Sequence, residues 1–161
     1  MDNVAPKQLK LTAEECCEQL LTDPILKQGM LRLLLLFKEL KMKPCWYHAK
    51  SYKCNYKGER VLYINFGKQN WLRIRVCTVG DMHGVGEFDL YLDMLEDELR
   101  NEFMNYAANF KRCCKSGKGC GVCGKSRTYY ITNPTEEQFE WIEKFIFVRR
   151  EFIEQTKKHR G

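Results

Sequence analysis

The run Leu72-Arg73-Ile74-Arg75-Val76-Cys77 alternates residue by residue. Successive side chains of a β-strand point to opposite faces, so this run predicts a strand with Leu72, Ile74 and Val76 on one side and Arg73, Arg75 and Cys77 on the other. Such a strand belongs to a sheet that is packed on one face, while its other face meets solvent or a ligand. The same period of two, with β-branched and aromatic residues, extends over residues 45–78. Turn signals at Lys57-Gly58 and Gly67-Lys68-Gln69-Asn70 divide this region into a three-stranded antiparallel meander.

Helical spacing surrounds it. Thr12, with Glu15 three positions on, reads as an N-cap for a helix over 13–21, and Asp23-Pro24 opens a second helix. Leu26, Met30, Leu33, Phe37 and Leu40 give that helix one apolar stripe, and it ends near Lys43-Pro44. A long helix is expected from Phe88, Leu92, Leu95, Leu99, Phe103, Tyr106 and Phe110, with its carboxylates gathered toward the N-terminus, where the helix dipole favours them. Residues 128–132 read as a short strand. Asn133-Pro134-Thr135-Glu136-Glu137 then opens a final helix with the stripe Phe139, Ile142, Phe145, Ile146, Phe152 and Ile153. The expected order is α-α-β-β-β-α-loop-β-α, an α+β domain in which amphipathic helices pack on a small antiparallel β-meander. At 161 residues and 44% hydrophobic the chain has material for one domain with a real core, and no apolar run approaches a membrane span.

The nine cysteines are the unusual entry in the composition. The start of the chain has no apolar signal-peptide core, so a reducing cytoplasmic setting is expected. Cys16, Cys17, Cys45, Cys54 and Cys77 are dispersed and read as small buried hydrophobes. Cys113, Cys114, Cys120 and Cys123 cluster among glycines in a basic loop over 111–127. That loop carries Lys111, Arg112, Lys115, Lys118, Lys125 and Arg127 and no carboxylate, which equals the net charge of +6 and leaves the rest of the chain neutral in sum.

In Cys113-Cys114-x5-Cys120-x2-Cys123, two residues between the last thiolates let both sulfurs reach one tetrahedral zinc ion, with Cys113 and Cys114 completing the set. The six cations would offset thiolate charge and offer an anion- or partner-binding surface, nucleic acid included. A thiol-disulfide oxidoreductase using Cys120 and Cys123 is the enzymatic alternative. A helix precedes this C-x-x-C and an extended segment follows it, the reverse of a thioredoxin site. Gly119-Cys120-Gly121-Val122-Cys123-Gly124-Lys125-Ser126 also fits the phosphate-loop pattern, but Ser126-Arg127-Thr128-Tyr129-Tyr130 is a poor helix opening and no acidic strand end for magnesium is evident.

Tyr52, Tyr63, Arg73 and Arg75 form a second candidate, a sheet face able to stack bases or hold an anion if the register brings them together. Trp46, Trp71 and Trp141 read as core or core-edge residues. His48, His83 and His159 are scattered and make no nucleophile pattern, Asp81-Met82-His83 reads as exposed loop, and Asp93, Glu96 and Asp97 as a solvated helix face. The chain therefore reads as a binding domain rather than an enzyme.

The cysteine loop with Gly124-Lys125, the extended Tyr129-Tyr130-Ile131-Thr132, Asn133-Pro134 and the closing helix together resemble small cysteine-loop domains of anaerobic bacteria, over roughly residues 45–155. That resemblance implies a bacterial cytosolic setting and transfers no catalytic residue. The helix-then-meander order is also similar to that of YdhG-like domains, sometimes described as iron chaperones.

Overall fold

The structure, a computed structural model, describes residues 10–77, 96–101 and 128–160. Thr12 caps helix α1 (Ala13–Leu20), its Oγ1 accepting from the Glu15 N–H at 3.1 Å. Asp23 caps α2 (Pro24–Glu39) by accepting from the N–H groups of Ile25 and Leu26, and Pro24 occupies the first turn, where a missing N–H is harmless. The expected stripe of α2, Leu26 to Leu40, is buried throughout. Each such side chain contributes on the order of 2 kcal/mol by leaving water.

Four strands follow where the sequence predicts three: β1 (Pro44–His48), β2 (Ser51–Tyr56), β3 (Glu59–Phe66) and β4 (Leu72–Cys77). The additional turn, Ala49-Lys50, contains no glycine, proline or asparagine; Ala49 itself takes the left-handed conformation at φ 44°. A fifth strand, β5 (Thr128–Thr132), pairs with β4, so the sheet is antiparallel in sequence order from β1 to β5.

Register assigns the faces. Tyr52, Ile64, Ile74 and Ile131 are cross-strand partners in one inward row, and Cys54, Leu62 and Val76 in the next. All seven are buried. Lys53, Tyr63 and Arg75 form the outward row between them, with Tyr130 at the same register position on β5. One irregularity alters this alternation. Cys54 pairs with Leu62 but Asn55 pairs with Arg60, so Val61 is an extra residue in β3. Val61 and Leu62 are both buried, and Arg60 moves to the outward side that strict alternation would deny it.

The final helix, α3 (Glu136–Arg160), is capped by Thr135 rather than Asn133. Thr135 Oγ1 accepts from the Gln138 N–H at 3.2 Å, and Gln138 Oε1 accepts from the Thr135 N–H at 3.0 Å, a reciprocal cap. Asn133, at φ 47°, instead bonds Leu72 through its N–H and its side-chain oxygen and ends β5. The expected stripe of α3 is buried, and Arg149 joins it at 2% exposure. Its guanidinium lies over the Phe152 ring and donates twice, at 3.2 Å, to the Arg60 carbonyl oxygen. α2 meets α3 through Gly29 against Phe139 and an Arg32–Glu143 ion pair at 2.8 Å.

Residues 97–101 are helical, with Leu99 buried and Glu96 paired to Lys144 of α3. The rest of the expected long helix lies outside the described residues. Asn70, at φ 56°, ties the β3–β4 turn to the α1–α2 junction: its side-chain oxygen accepts from the N–H groups of Thr22 and Asp23, and its own N–H donates to the Leu20 carbonyl. No described helix is long and apolar enough to cross a membrane.

Candidate functional site

The outward face of the sheet brings together Tyr63, Arg73 and Arg75. The Arg75 guanidinium sits 3.7 Å from the centre of the Tyr63 ring. Arg60, redirected by the extra residue in β3, places its guanidinium 4.5 Å from the same centre and donates to Asn55 Oδ1 at 2.6 Å. Two guanidiniums held on one ring lie within about 8 Å of each other, where like charges repel and an anion between them is attracted to both. Tyr47 of β1 meets Tyr63 edge-on at 5.8 Å, with Lys53 Nζ 5.9 Å from the Tyr47 ring centre. Farther along, Arg73 lies 5.1 Å from the Trp71 ring centre and donates to Thr132 Oγ1 at 3.1 Å.

Tyr52 does not belong to this face. It is 2% exposed on the inward side, and its hydroxyl donates to the Leu11 carbonyl. A hydroxyl has a single hydrogen, so the neighbouring Cys16 thiol, 3.2 Å away, must donate to Tyr52. Burial, then the hydrogen bond with Cys16, pushes the Tyr52 pKa up, so the phenol stays neutral. Cross-strand neighbours on opposite sides of a pleat cannot converge, which removes Tyr52 from the expected set.

Tyr47, Lys53, Arg60 and Trp71 take its place. Summing charge over the whole chain hides them, because the carboxylates of residues 81–102 cancel a second basic region. Residues 41–77 hold nine lysines and arginines against one carboxylate, Glu59. The inward face is apolar, so these cations are confined to the outward face, the turns and the β1 edge. Lys41, Lys43 and Lys50 flank β1, whose Tyr47 is 47% exposed. Lys53 and Arg60 make no ion pair among the described residues. Trp46, expected near the core, is also exposed at this edge, beneath Lys10 at 4.3 Å.

The described cysteines divide by burial. Cys16, Cys17 and Cys54 are buried as expected, whereas Cys45 is exposed. Burial, followed by the charges of Glu18 and Cys16, outweighs Lys27 and pushes the Cys17 thiol to about 11, and burial next to Cys45 pushes Cys54 to about 12. Both remain thiols at neutral pH, which disfavours a nucleophilic role. Cys113, Cys114, Cys120 and Cys123 lie outside the described residues, as do Lys111, Arg112, Lys115, Lys118, Lys125 and Arg127 and the Asp81-Met82-His83 segment. Among the described residues no group of three or more His, Cys, Asp or Glu side chains is placed to hold a metal ion.

At the turn between β2 and β3, Glu154 of α3 accepts from the Tyr56 hydroxyl and pairs with Lys57 Nζ at 2.6 Å. Its carboxyl is held below the usual range by Lys57 first and Tyr56 second. This cluster anchors the end of α3 to the sheet. No family model matches the chain, and no curated protein or solved structure matches it.

Proposed function

We propose that this chain is a binding domain that takes an anionic ligand on the outward face of its sheet. One observation carries the reading: Arg60 and Arg75 converge on the Tyr63 ring, with Lys53 adjacent to it on β2 and Arg73 farther along β4. Stacking on Tyr63 restrains the two guanidiniums before any ligand arrives, so less side-chain entropy is lost when an anion binds. Glu14, Glu15, Glu136 and Glu137 stand in the first turns of α1 and α3, on the helical side of the sheet.

The test is a titration with inorganic polyphosphate at two ionic strengths, using the full chain and two variants. Lys53→Ala with Arg73→Ala should weaken binding severalfold, while alanine at Lys111, Arg112, Lys115, Lys118, Lys125 and Arg127 should leave a salt-dependent component in place. Binding that survives the first variant unchanged and vanishes in the second assigns the anion site to the loop and refutes the sheet. A second reading, zinc held by Cys113, Cys114, Cys120 and Cys123, rests on the spacing of those cysteines and concerns a separate segment.

A further inference from the structure

We infer that the anion is the backbone of a single-stranded nucleic acid, whose bases stack on the rings and guanidinium planes of the same face. This inference rests on the anion-binding reading above and adds the ligand class.

Size is the first argument. From β1 to β4 the face spans three inter-strand gaps, about 14 Å, and from Tyr63 to Gly67, where the Trp71 ring packs, it runs about 13 Å along β3. A lone phosphate or a mononucleotide would contact only part of such a surface. Several linked phosphates would reach Lys53, Arg60, Arg73 and Arg75 together.

Chemistry is the second. Cations alone would suit any polyanion, but here each guanidinium is paired with a ring: Arg60 and Arg75 with Tyr63, Arg73 with Trp71. A guanidinium lying on an aromatic ring presents its other flat side as a stacking surface, although Arg75 Nε is itself enclosed and the Nε–H groups of Arg60 and Arg73 are given to Asn55 and Thr132, which leaves the terminal nitrogens to meet a ligand. Tyr47 adds a half-exposed ring at the open edge, touching Tyr63. An acidic peptide has charge but few planar groups to use these surfaces. A duplex keeps its bases stacked inside, out of reach of a flat sheet. A single strand offers both charge and unpaired rings, which is how a four-stranded sheet with helices behind it can hold two or three bases.

The experiment measures fluorescence anisotropy of a labelled fifteen-residue oligothymidylate on the full-length chain. Unlabelled duplex of the same length, inorganic polyphosphate and polyglutamate serve as competitors. With four cations engaged, the logarithm of the binding constant should fall by about 3 per tenfold rise in salt, and Lys53→Ala should reduce that slope by about 0.7. Tyr47→Ala should weaken the oligonucleotide about tenfold, with Tyr47→Phe near wild type and polyphosphate affinity unaffected by either. Tyr47 is exposed on an edge strand, so this variant tests stacking without risking the core.

The inference is overturned, with the anion-binding reading intact, if polyphosphate or polyglutamate competes better than the oligonucleotide, if duplex is preferred, or if Tyr47→Ala changes nothing. If neither polyphosphate nor oligonucleotide binds at low salt, the anion-binding reading itself fails.

Discussion

Replacing Gly29 with alanine should destabilise the fold by about 2 kcal/mol, although alanine is the better helix former. Gly29 lies in α2 against Phe139 of α3, which is 1% exposed. A Cβ on Gly29 would stand 2.6 Å from Phe139 Cγ, with Cδ2 and Cε2 nearer still. Carbon atoms pack at about 3.5–4.0 Å, so the overlap involves one side of the ring and is about 1 Å deep. A pocket of about 100 Å³ lined by Gly29 and Phe139 opens beside the contact, but a rigid ring that is 1% exposed gives way less readily than a flexible chain end. Overpacking of this kind costs about 1–3 kcal/mol, and the engagement of three ring atoms places this site at the upper end. Alanine returns about 1 kcal/mol of helix propensity, leaving the net figure of about 2 kcal/mol. For a chain of this length that is a fall in Tm of about 4–8 °C. Thermal and urea unfolding followed by circular dichroism would measure it. Combining Gly29→Ala with Phe139→Leu tests the cause, because the smaller side chain should recover part of the loss and make the pair non-additive by about 1 kcal/mol. An unchanged or more stable Gly29→Ala protein, or strict additivity in the double variant, would refute the α2–α3 packing described here.

Iodoacetamide at pH 8 should label Cys45 quickly and leave Cys17 and Cys54 untouched until denaturant is added; mass spectrometry showing Cys54 modified as fast as Cys45 would contradict its burial. Glu154 has its folded pKa lowered, so its contribution to stability is present above the ordinary value of 4.5 and is lost as the pH falls through the folded value. Glu154→Gln should therefore flatten the decline in Tm below pH 4.5, and parallel curves for variant and wild type would rule out the Lys57–Glu154–Tyr56 cluster as a source of that decline. Elemental analysis of the purified chain should find about one zinc per molecule, lost in Cys120→Ser with Cys123→Ser; metal-free protein from an anaerobic preparation would end the zinc reading.

The first two helices are legible because their signals are local. Thr12 with Glu15 and Asp23 with Pro24 are complete caps within four residues of chain, and they form as the spacing indicates. The outward direction of Arg73 and Arg75 was legible for the same reason, since alternation within one strand needs no partner. What needed partners was lost. The turn at Ala49-Lys50 depends on a left-handed alanine, which no residue preference announces. The extra residue at Val61 exists only as a mismatch between β2 and β3, so neither the outward turn of Arg60 nor its approach to Tyr63 can be read from either strand alone. Tyr52 lies on the inward face, which neither strand shows alone, because the parity between two strands is set by the turn and register that join them.

Arg73 and Arg75 also bear on how the strands pair. A slip of one residue between β3 and β4 would turn both guanidiniums toward the helices and put Leu72, Ile74 and Val76 in water. Each unpaired guanidinium would cost several kcal/mol to enclose, and Arg149 shows what is needed to enclose one: two bonds to the Arg60 carbonyl and the Phe152 ring beside it. Two such penalties together are comparable to the whole stability of an ordinary domain, about 5–15 kcal/mol. During folding, the charged side of the sheet therefore selects among strand pairings and discards the slipped ones, so a variant that neutralises this face also relaxes the choice of register.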